Sequence, residues 1–353
     1  MTNKIIVCGS EGSLMSAVIP ELMIGDYEIL GIDTCERHGQ RGRAASLNYQ
    51  YMNVDLCDAN ATRMVFETFQ PDYVIQAAAK IYGVGGFNKY AADILGDDIA
   101  LHRNVLDASV QSGVKKVVFI SSSMVYENVI ERKAVDEMDV WEYGIPRTDY
   151  GLSKVTNERL TMAYQKQYGL DYTIWRPFNI ITPYETAEKQ MGDSHVFADF
   201  MQNLVVNDQA TLPIYGDGQQ VRCFSWIRDV ATGIVDHLEN EDSTNEAFNI
   251  GSDIPVTMRE LAQNIRDIGF LKNRCSSSQV NFKFIKALDN DVEFRVPNTD
   301  KIKQKLGWTM TKTLDQALAD CIDALPNKDL TSHNSAIDPN RYLLYQNKME
   351  TQV

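Results

Sequence analysis

No apolar run in this sequence approaches the roughly 18 residues that a membrane-crossing helix needs. The N-terminus passes straight into a strand-like run without a signal-peptide pattern, so the expected setting is the cytoplasm. Positive charge is scarce: 34 Lys and Arg stand against 48 Asp and Glu, for a net charge of −14. That balance argues against a general binder of nucleic acid or anionic membranes, and an anionic ligand must be met by a local cluster of donors. The five histidines are dispersed, and Cys8, Cys35, Cys57, Cys223, Cys275 and Cys321 form no Cys-x-x-Cys. Reduced thiols are expected, with no disulfide framework and no metal site. Internal repeats and linkers are also missing. The 353 residues, 44% of them hydrophobic, suffice for one large domain or two that share a cleft.

What is present centres on Asp149-Tyr150-Gly151-Leu152-Ser153-Lys154. On a helix, Tyr150 and Lys154 lie one turn apart on the same face. An ammonium beside a phenol favours the phenolate, which can take a proton from an alcohol; the phenol can return one to a ketone. The pair alone is weak evidence, because both residues are common on helix surfaces. Its flanks are more specific. Upstream, Val117-Val118-Phe119-Ile120-Ser121-Ser122-Ser123 reads as a buried strand ending in hydroxyls. Downstream, residues 172–177 read as another strand, running into Arg176-Pro177-Phe178-Asn179.

The first half alternates strand and helix. Residues 4–9 are an apolar strand, and residues 12–23 follow with helical spacing. The loop between them, Gly9-Ser10-Glu11-Gly12-Ser13-Leu14, lets backbone N–H groups approach a pyrophosphate at the helix N-terminus. The third glycine usual in such loops is absent; Met15 stands there, which should reshape packing more than the phosphate site. Glu11 is repulsive beside phosphates unless its carboxylate points away. The strand at 28–33 ends in Asp33, placed to accept hydrogen bonds from an adenosine ribose and favouring NAD over NADP. Arg37, Arg41 and Arg43 follow and offer charge to a 2′-phosphate instead. Asn53-Val54-Asp55-Leu56 reads as a third strand whose end edges the adenine, and residues 59–69 as a helix. Residues 72–79 read as a fourth strand ending in Ala77-Ala78-Ala79, where a backbone can come close to a cofactor. A Gly-rich loop at 80–88 and a long helix at 93–112 complete the pattern. The fold class is α/β, a Rossmann-type doubly wound parallel sheet with a smaller α/β C-terminal substrate domain.

Beyond Pro177 the alternation stops. Residues 180–195 form a polar loop; helices are expected at 196–207, from 229 to 238, at 257–268, 299–306 and 313–324. Thr257 and Glu260 have the spacing of a capping box. Short strands are expected at 212–218, 247–251 and 281–285, and residues 327–353 form a tail or surface wrap. Residues 1–179 are the dinucleotide-binding domain, with 222–252 returning to it; 180–221 and 253–326 make the substrate-binding domain.

From residue 4 to about 325 the ordered motifs resemble the extended short-chain dehydrogenase/reductases, the NAD-dependent sugar-nucleotide epimerase/dehydratase family. They are Gly9-x-x-Gly12, Asp33, Asp55-Leu56, Ala77-Ala78-Ala79-Lys80, Ser121-Ser122-Ser123-x-x-Tyr126, Tyr150-x-x-x-Lys154 and Arg176-Pro177-Phe178-Asn179. Later come Gly216-Asp217-Gly218 with Arg222, Asp229, Asn249-Ile250-Gly251-Ser252 and Leu306-Gly307-Trp308. Residues 77–86 and Asp193-Ser194-His195-Val196 are most similar to GDP-L-fucose synthases and GDP-mannose 3,5-epimerases.

The resemblance implies Tyr150 as the acid/base, with Lys154 lowering its pKa and holding the nicotinamide ribose. Ser122, between the neighbours Ser121 and Ser123, bonds the reacting oxygen. The same resemblance places NAD against Gly9, Glu11, Gly12, Ser13, Leu14, Asp33, Asp55, Leu56, Ala77, Ala78, Ala79, Lys80, Ser121, Tyr150, Lys154 and Pro177. A nucleotide-diphosphate sugar then lies beside Gly83, Ser122, Ser123, Met124, Tyr150, Asn179, His195, Val196, Arg222 and Arg295. Asn179, Arg222 and Arg295 are the diphosphate candidates, since guanidinium forks match phosphate oxygens. His195 is either a proton donor or sugar contact, or an ordinary loop histidine; Phe178 and Trp308 are expected in the core. Met124 stands where the two most similar enzymes carry a cysteine acid/base and the 4,6-dehydratases and uronate decarboxylases a glutamate. A thioether exchanges no proton, which counts against inversion at C3 or C5, dehydration and decarboxylation, and leaves redox chemistry beside Tyr150. The expected activity is NAD-dependent 4-epimerisation of a nucleotide sugar through a transient 4-keto sugar. A homodimer paired through helices 93–112 and 150–168 is also implied. The alternatives are a GDP-4-keto-sugar reductase or 3,5-epimerase/reductase using NADPH, and a dinucleotide-binding sensor without turnover.

Overall fold

The computed structural model describes residues 2–36, 48–80, 89–185, 187, 192, 194–287 and 291–325. Arg37, Arg41, Arg43, Gly83, Asp193, the loop at 81–88 and the 327–353 tail lie outside the described residues.

Seven parallel strands make the central sheet: β1 (Asn3–Cys8), β2 (Tyr27–Asp33), β3 (Tyr49–Asn53), β4 (Tyr73–Gln76), β5 (Lys116–Ile120), β6 (Asp171–Pro177) and β7 (Glu246–Ile250). Their order is β7-β6-β5-β4-β1-β2-β3. A central strand of a parallel sheet is covered on both faces and so must be apolar throughout. In β1, Ile5 and Val7 enter one core while Ile6 and Cys8 enter the other, all fully buried. On the first face α1 (Met15–Ile24) packs against α5 (Ile227–Asp236). On the other, α2 (Ala59–Phe69) packs on α3 (Ala91–Gln111), and α3 on α4 (Asp149–Tyr168). Among the described residues no helix is long and apolar enough to cross a membrane.

The chain leaves β1 toward β2 and β3 and then returns to β4 on the opposite side, which opens a crevice at the carboxyl ends of β1 and β4. Gly9 sits there with φ +74°, and a Cβ on it would lie 2.7 Å from Ala78 N. The two strand ends approach this closely only because that residue has no side chain.

Two expectations need correction. The third strand is Tyr49–Asn53, and residues 54–56 form the turn after it. As an edge strand it buries only Tyr49, so it shows no apolar run to betray it. The fourth strand ends at Gln76, leaving Ala77, Ala78 and Ala79 in the following loop.

The rest of the chain forms small sheets. Val221–Arg222 runs parallel to Phe294–Pro297, with Arg222 opposite Arg295, and Phe294–Pro297 continues to Ala134–Val135. The strand carrying Arg295 is absent from the sequence reading because four residues are too few to show a period. Thr211–Tyr215 pairs with Asn281–Ile285. The expected capping box is formed: Thr257 Oγ1 accepts from Glu260 N and Glu260 Oε2 from Thr257 N, opening the helix Met258–Leu271. The helix expected at 196–207 is α-helical over Val196–Met201 and widens to a π-turn over Gln202–Val206.

Candidate active site

Helix α4 begins where Thr148 caps it, Oγ1 accepting from Gly151 N at 3.0 Å. Its first turn lies against the short turn Ser123–Tyr126 that follows β5. Gly151 permits that approach, since a Cβ would meet Pro146 Cβ at 2.8 Å and Glu127 Oε2 and Met124 O at 2.9 Å. Tyr150 and Lys154 therefore point inward, 7% and 2% exposed. Lys154 Nζ lies 5.5 Å from the Tyr150 ring centroid and donates to Ile120 O at 3.3 Å. Burial lowers the Lys154 pKa, opposed by the negative charges of Asp98 and Glu158.

Two of the serines after β5 separate by partner. Ser121 Oγ donates to Glu158 Oε1 at 2.5 Å, in a layer behind the site. Ser122 caps the turn, Oγ accepting from Met124 N at 3.2 Å. Glu158 is also forked by Arg176, Nε at 2.9 Å and Nη2 at 2.6 Å. Arg176 Nη1 donates to Tyr126 OH and Glu137 O, and Tyr126 OH donates to Asn249 Oδ1 at 2.6 Å. The sequence motifs around Ser121, Tyr126, Arg176 and Asn249 thus close one buried network that holds the ends of β5, β6 and β7 together. Phe178 and Trp308 are buried, and Trp308 Nε1 donates to Asp229 O.

One cleft of about 1170 Å³ runs from β1 to the small sheets. Gly9, Glu11, Gly12, Ser13, Leu14, Asp33, Asp55, Leu56, Ala77, Ala78, Ala79, Lys80, Ser121, Tyr150 and Pro177 all line it, whereas Lys154 is buried behind Tyr150. The residues fit a dinucleotide. The Gly9 cradle gives close backbone approach. Helix α1 starts at Met15, with the lining residues Gly12, Ser13 and Leu14 at its N-terminal end, where a pyrophosphate would sit. The N–H groups of Ser16, Ala17 and Val18 are already taken by carbonyls of that turn. Asp33 accepts from Glu11 N and Cys35 N at 2.9 and 2.8 Å, which fixes its carboxylate at the mouth. Glu11 is 3% exposed, with Oε1 3.4 Å from both Tyr49 OH and Ser10 Oγ. Met15 fills core between α1 and the sheet.

The same cleft is lined at its other end by Ser122, Ser123, Met124, Asn179, His195, Val196, Arg222 and Arg295. Arg222 pairs with Asp291 at 2.8 Å. Asn179 Nδ2 donates to Cys223 O at 3.1 Å. His195 Nδ1 meets Glu185 Oε1 at 2.7 Å while its side chain stays largely exposed. Among the described residues no three His, Cys, Asp or Glu converge to hold a metal ion.

Sequence reasoning missed Asp291, Glu127 and Asp98. Glu127 Oε2 and Oε1 accept from Thr148 N and Oγ1, both at 2.8 Å, so it braces the cap of α4; burial raises its pKa. Asp98, on α3, is 1% exposed; it accepts from Lys80 N at 2.7 Å and Ser153 Oγ at 3.3 Å. Burial pushes its pKa up to about 6, against the pull of Lys154 and those hydrogen bonds. In sequence Asp98 is one polar residue of a long helix; only the packing of α3 on α4 makes it a buried acid.

The model of the NAD dependent epimerase/dehydratase family matches residues 5–251. GDP-L-fucose synthase 1 of Arabidopsis thaliana is 27% identical over 277 residues, covering 75% of this chain and 77% of that relative. A probable dTDP-glucose 4,6-dehydratase of Sinorhizobium fredii is 25% identical, covering 91% and 92%. Among solved structures, an epimerase from Methanothermobacter thermautotrophicus superposes with a TM-score of 0.81 at 21% identity, covering 91% of each chain. UDP-glucose 4-epimerase of Thermotoga maritima does so at 0.76 and 23%, covering 91% of this chain and 97% of its own. At these identities the structures show a shared fold. With the family model spanning most of the chain, the protein belongs to the NAD-dependent epimerase/dehydratase family of sugar-nucleotide enzymes and is itself an enzyme.

Proposed function

We propose that the protein is an NAD-dependent nucleotide-sugar epimerase that inverts C4 through a transient 4-keto sugar. One observation carries this reading: Tyr150, backed by the buried Lys154, opens onto the dinucleotide cleft beside Ser122 and Met124. When bound, the dinucleotide supplies the acceptor and donor of the hydride. Tyr150 takes the proton of the sugar hydroxyl and later returns it, with Lys154 favouring the phenolate by its charge. Ser122 Oγ holds the reacting oxygen. Met124 has no proton to exchange, so the carbons beside the ketone keep their configuration. Asp33 and the exposed Glu36 both line the adenosine end, where two carboxylates disfavour a 2′-phosphate and support NAD. In this reading residues 1–179 with 222–252 carry the dinucleotide, and 180–221 with 253–326 the sugar nucleotide.

Tyr150→Phe tests it. The variant should lose about 10²–10⁴-fold in turnover while still releasing NAD on denaturation, read by mass spectrometry. Undiminished turnover would remove Tyr150 from the mechanism. NADPH in place of NAD would favour the reductase.

A further inference from the structure

Three cations and three carboxylates gather around the contact of α3 with α4. Arg176 is forked by Glu158, and Lys80 Nζ pairs with Asp97. That leaves Lys154 on α4 and Asp98 on α3, 2% and 1% exposed. Among the described residues no carboxylate lies within ion-pair distance of Lys154 Nζ, whose hydrogen bond goes to Ile120 O at 3.3 Å. Two acids act on its charge from further off, Asp98 before Glu158, and Glu158 already faces Arg176. Asp98 for its part accepts from neutral donors, Lys80 N at 2.7 Å and Ser153 Oγ at 3.3 Å. Burial pushes its pKa up to about 6, and Lys154 is the strongest charge pulling it back.

The other groups around Asp98 do not answer Lys154. Asp97, on the same helix, is engaged by Lys80. His102, one turn further along α3, is fully buried, and burial holds its pKa down to about 3, so it stays neutral. Its Nε2 lies 2.9 Å from Thr161 Oγ1, and Asn157 Nδ2 donates to Asp98 O at 3.1 Å. Both are neutral contacts that fix α3 against α4.

An ammonium enclosed in this way sheds its proton unless a negative charge holds it. A neutral Lys154 would no longer favour the Tyr150 phenolate. The hydrogen bonds of Asp98 need no charge, since an amide oxygen would accept from Lys80 N as well. What the acid adds is its ionisation, and of the three cations only Lys154 lacks a carboxylate in contact.

We infer that Asp98 is a positioning residue whose carboxylate keeps Lys154 an ammonium and, through Lys154, sets the acid/base state of Tyr150. This rests on the reading of Tyr150 and Lys154 given above. Through Lys80 N the same carboxylate holds the end of the loop whose Ala77, Ala78 and Ala79 line the dinucleotide cleft. One acid thus ties the wall of the cofactor site to the charge behind Tyr150.

The test is NMR of the full-length protein carrying isotope-labelled lysine ε-carbons, with the Lys154 signal assigned by its loss in Lys154→Arg. In the unaltered protein that signal should move in two steps. The first comes near pH 6 as Asp98 ionises, the second at higher pH as Lys154 loses its own proton. Asp98→Asn should abolish the first step and lower the midpoint of the second by at least about one pH unit, and Asp98→Glu should restore most of that loss. A folded Asp98→Asn protein whose Lys154 titrates where the unaltered one does overturns the inference and leaves Asp98 a hydrogen-bonding residue only. Should Asp98→Asn not fold, the unaltered protein decides, and a Lys154 signal with no step near pH 6 overturns it. The measurement needs no turnover, so its failure is distinct from failure of the epimerase reading, which Tyr150→Phe tests.

Discussion

Arg176 and Arg295 are both buried, 0% and 7% exposed, one behind the sheet and one in the cleft. Every donor edge of Arg176 is answered, by Glu158, Tyr126 OH and Glu137 O. Burial works against its charge, but Glu158 and Tyr126 more than offset that, and its pKa is raised. Arg295 has a sulfur, a long contact to Asn179 and an unanswered Nε, and its pKa is lowered. A completed charge belongs to the frame; an incomplete one is waiting for something the chain does not contain. The contrast is between two guanidiniums and not between two halves of the molecule. Buried side-chain atoms with no hydrogen-bond partner among the described residues occur in both halves, among them Gln76 Oε1 and Trp175 Nε1 in the sheet and Gln220 Oε1 and Arg266 Nε outside it.

Three measurements press on that contrast, beginning with the largest effect. Arg176→Met strips Glu158 of its ion partner inside the core, and should cost about 3–5 kcal/mol in chemical denaturation. A loss below about 1 kcal/mol would mean that the network is not a frame. Asp98 comes next, because it is a framework acid only partly compensated by Lys154, Lys80 N and Ser153, with Asp97 opposing. Its folded pKa of about 6 lies above the ordinary 3.8, so its favourable contribution is complete below about pH 4 and is lost as pH rises through 6. The change amounts to about 3 kcal/mol at most. Asp98→Asn should flatten that part of the stability–pH curve; an unaltered slope would show that another group titrates there. Arg295→Leu should be the mildest, within about 1 kcal/mol and even stabilising, because it removes a charge that nothing in the chain fully matches. A loss near that of Arg176→Met would put Arg295 in the frame instead of the site.

The strands of the first half were legible because burial on both faces leaves an uninterrupted apolar run, as in Ile5–Cys8. Tyr49–Asn53, at the sheet edge, has no such pressure, and the reading slid onto Val54 and Leu56. Tyr150, Lys154 and the serines were legible because a strand end followed by a capped helix constrains residue types within a short span. Asp98 and Asp291 were not, since each becomes meaningful only beside a residue more than fifty positions away. Arg295 was named, but only as a possible phosphate contact. Its contact with Met124, 171 residues earlier, is made from the strand Phe294–Pro297, which the sequence does not show.

The buried tie from Ser121 through Glu158, Arg176 and Tyr126 to Asn249 also bears on how the molecule comes into being. A ribosome that has reached residue 245 has already emitted Ser122, Tyr150 and Lys154, and the nascent chain holds six of the seven strands. The turn that aims Ser122 lacks one of its anchors at that moment: Arg176 is there to donate to the Tyr126 hydroxyl, but Asn249 is not there to accept from it. Docking of a strand from late in translation is what finishes a site whose chemistry was written a hundred residues before. Contacts of such long sequence separation form late and slowly. The catalytic corner is therefore among the last parts of this protein to become itself.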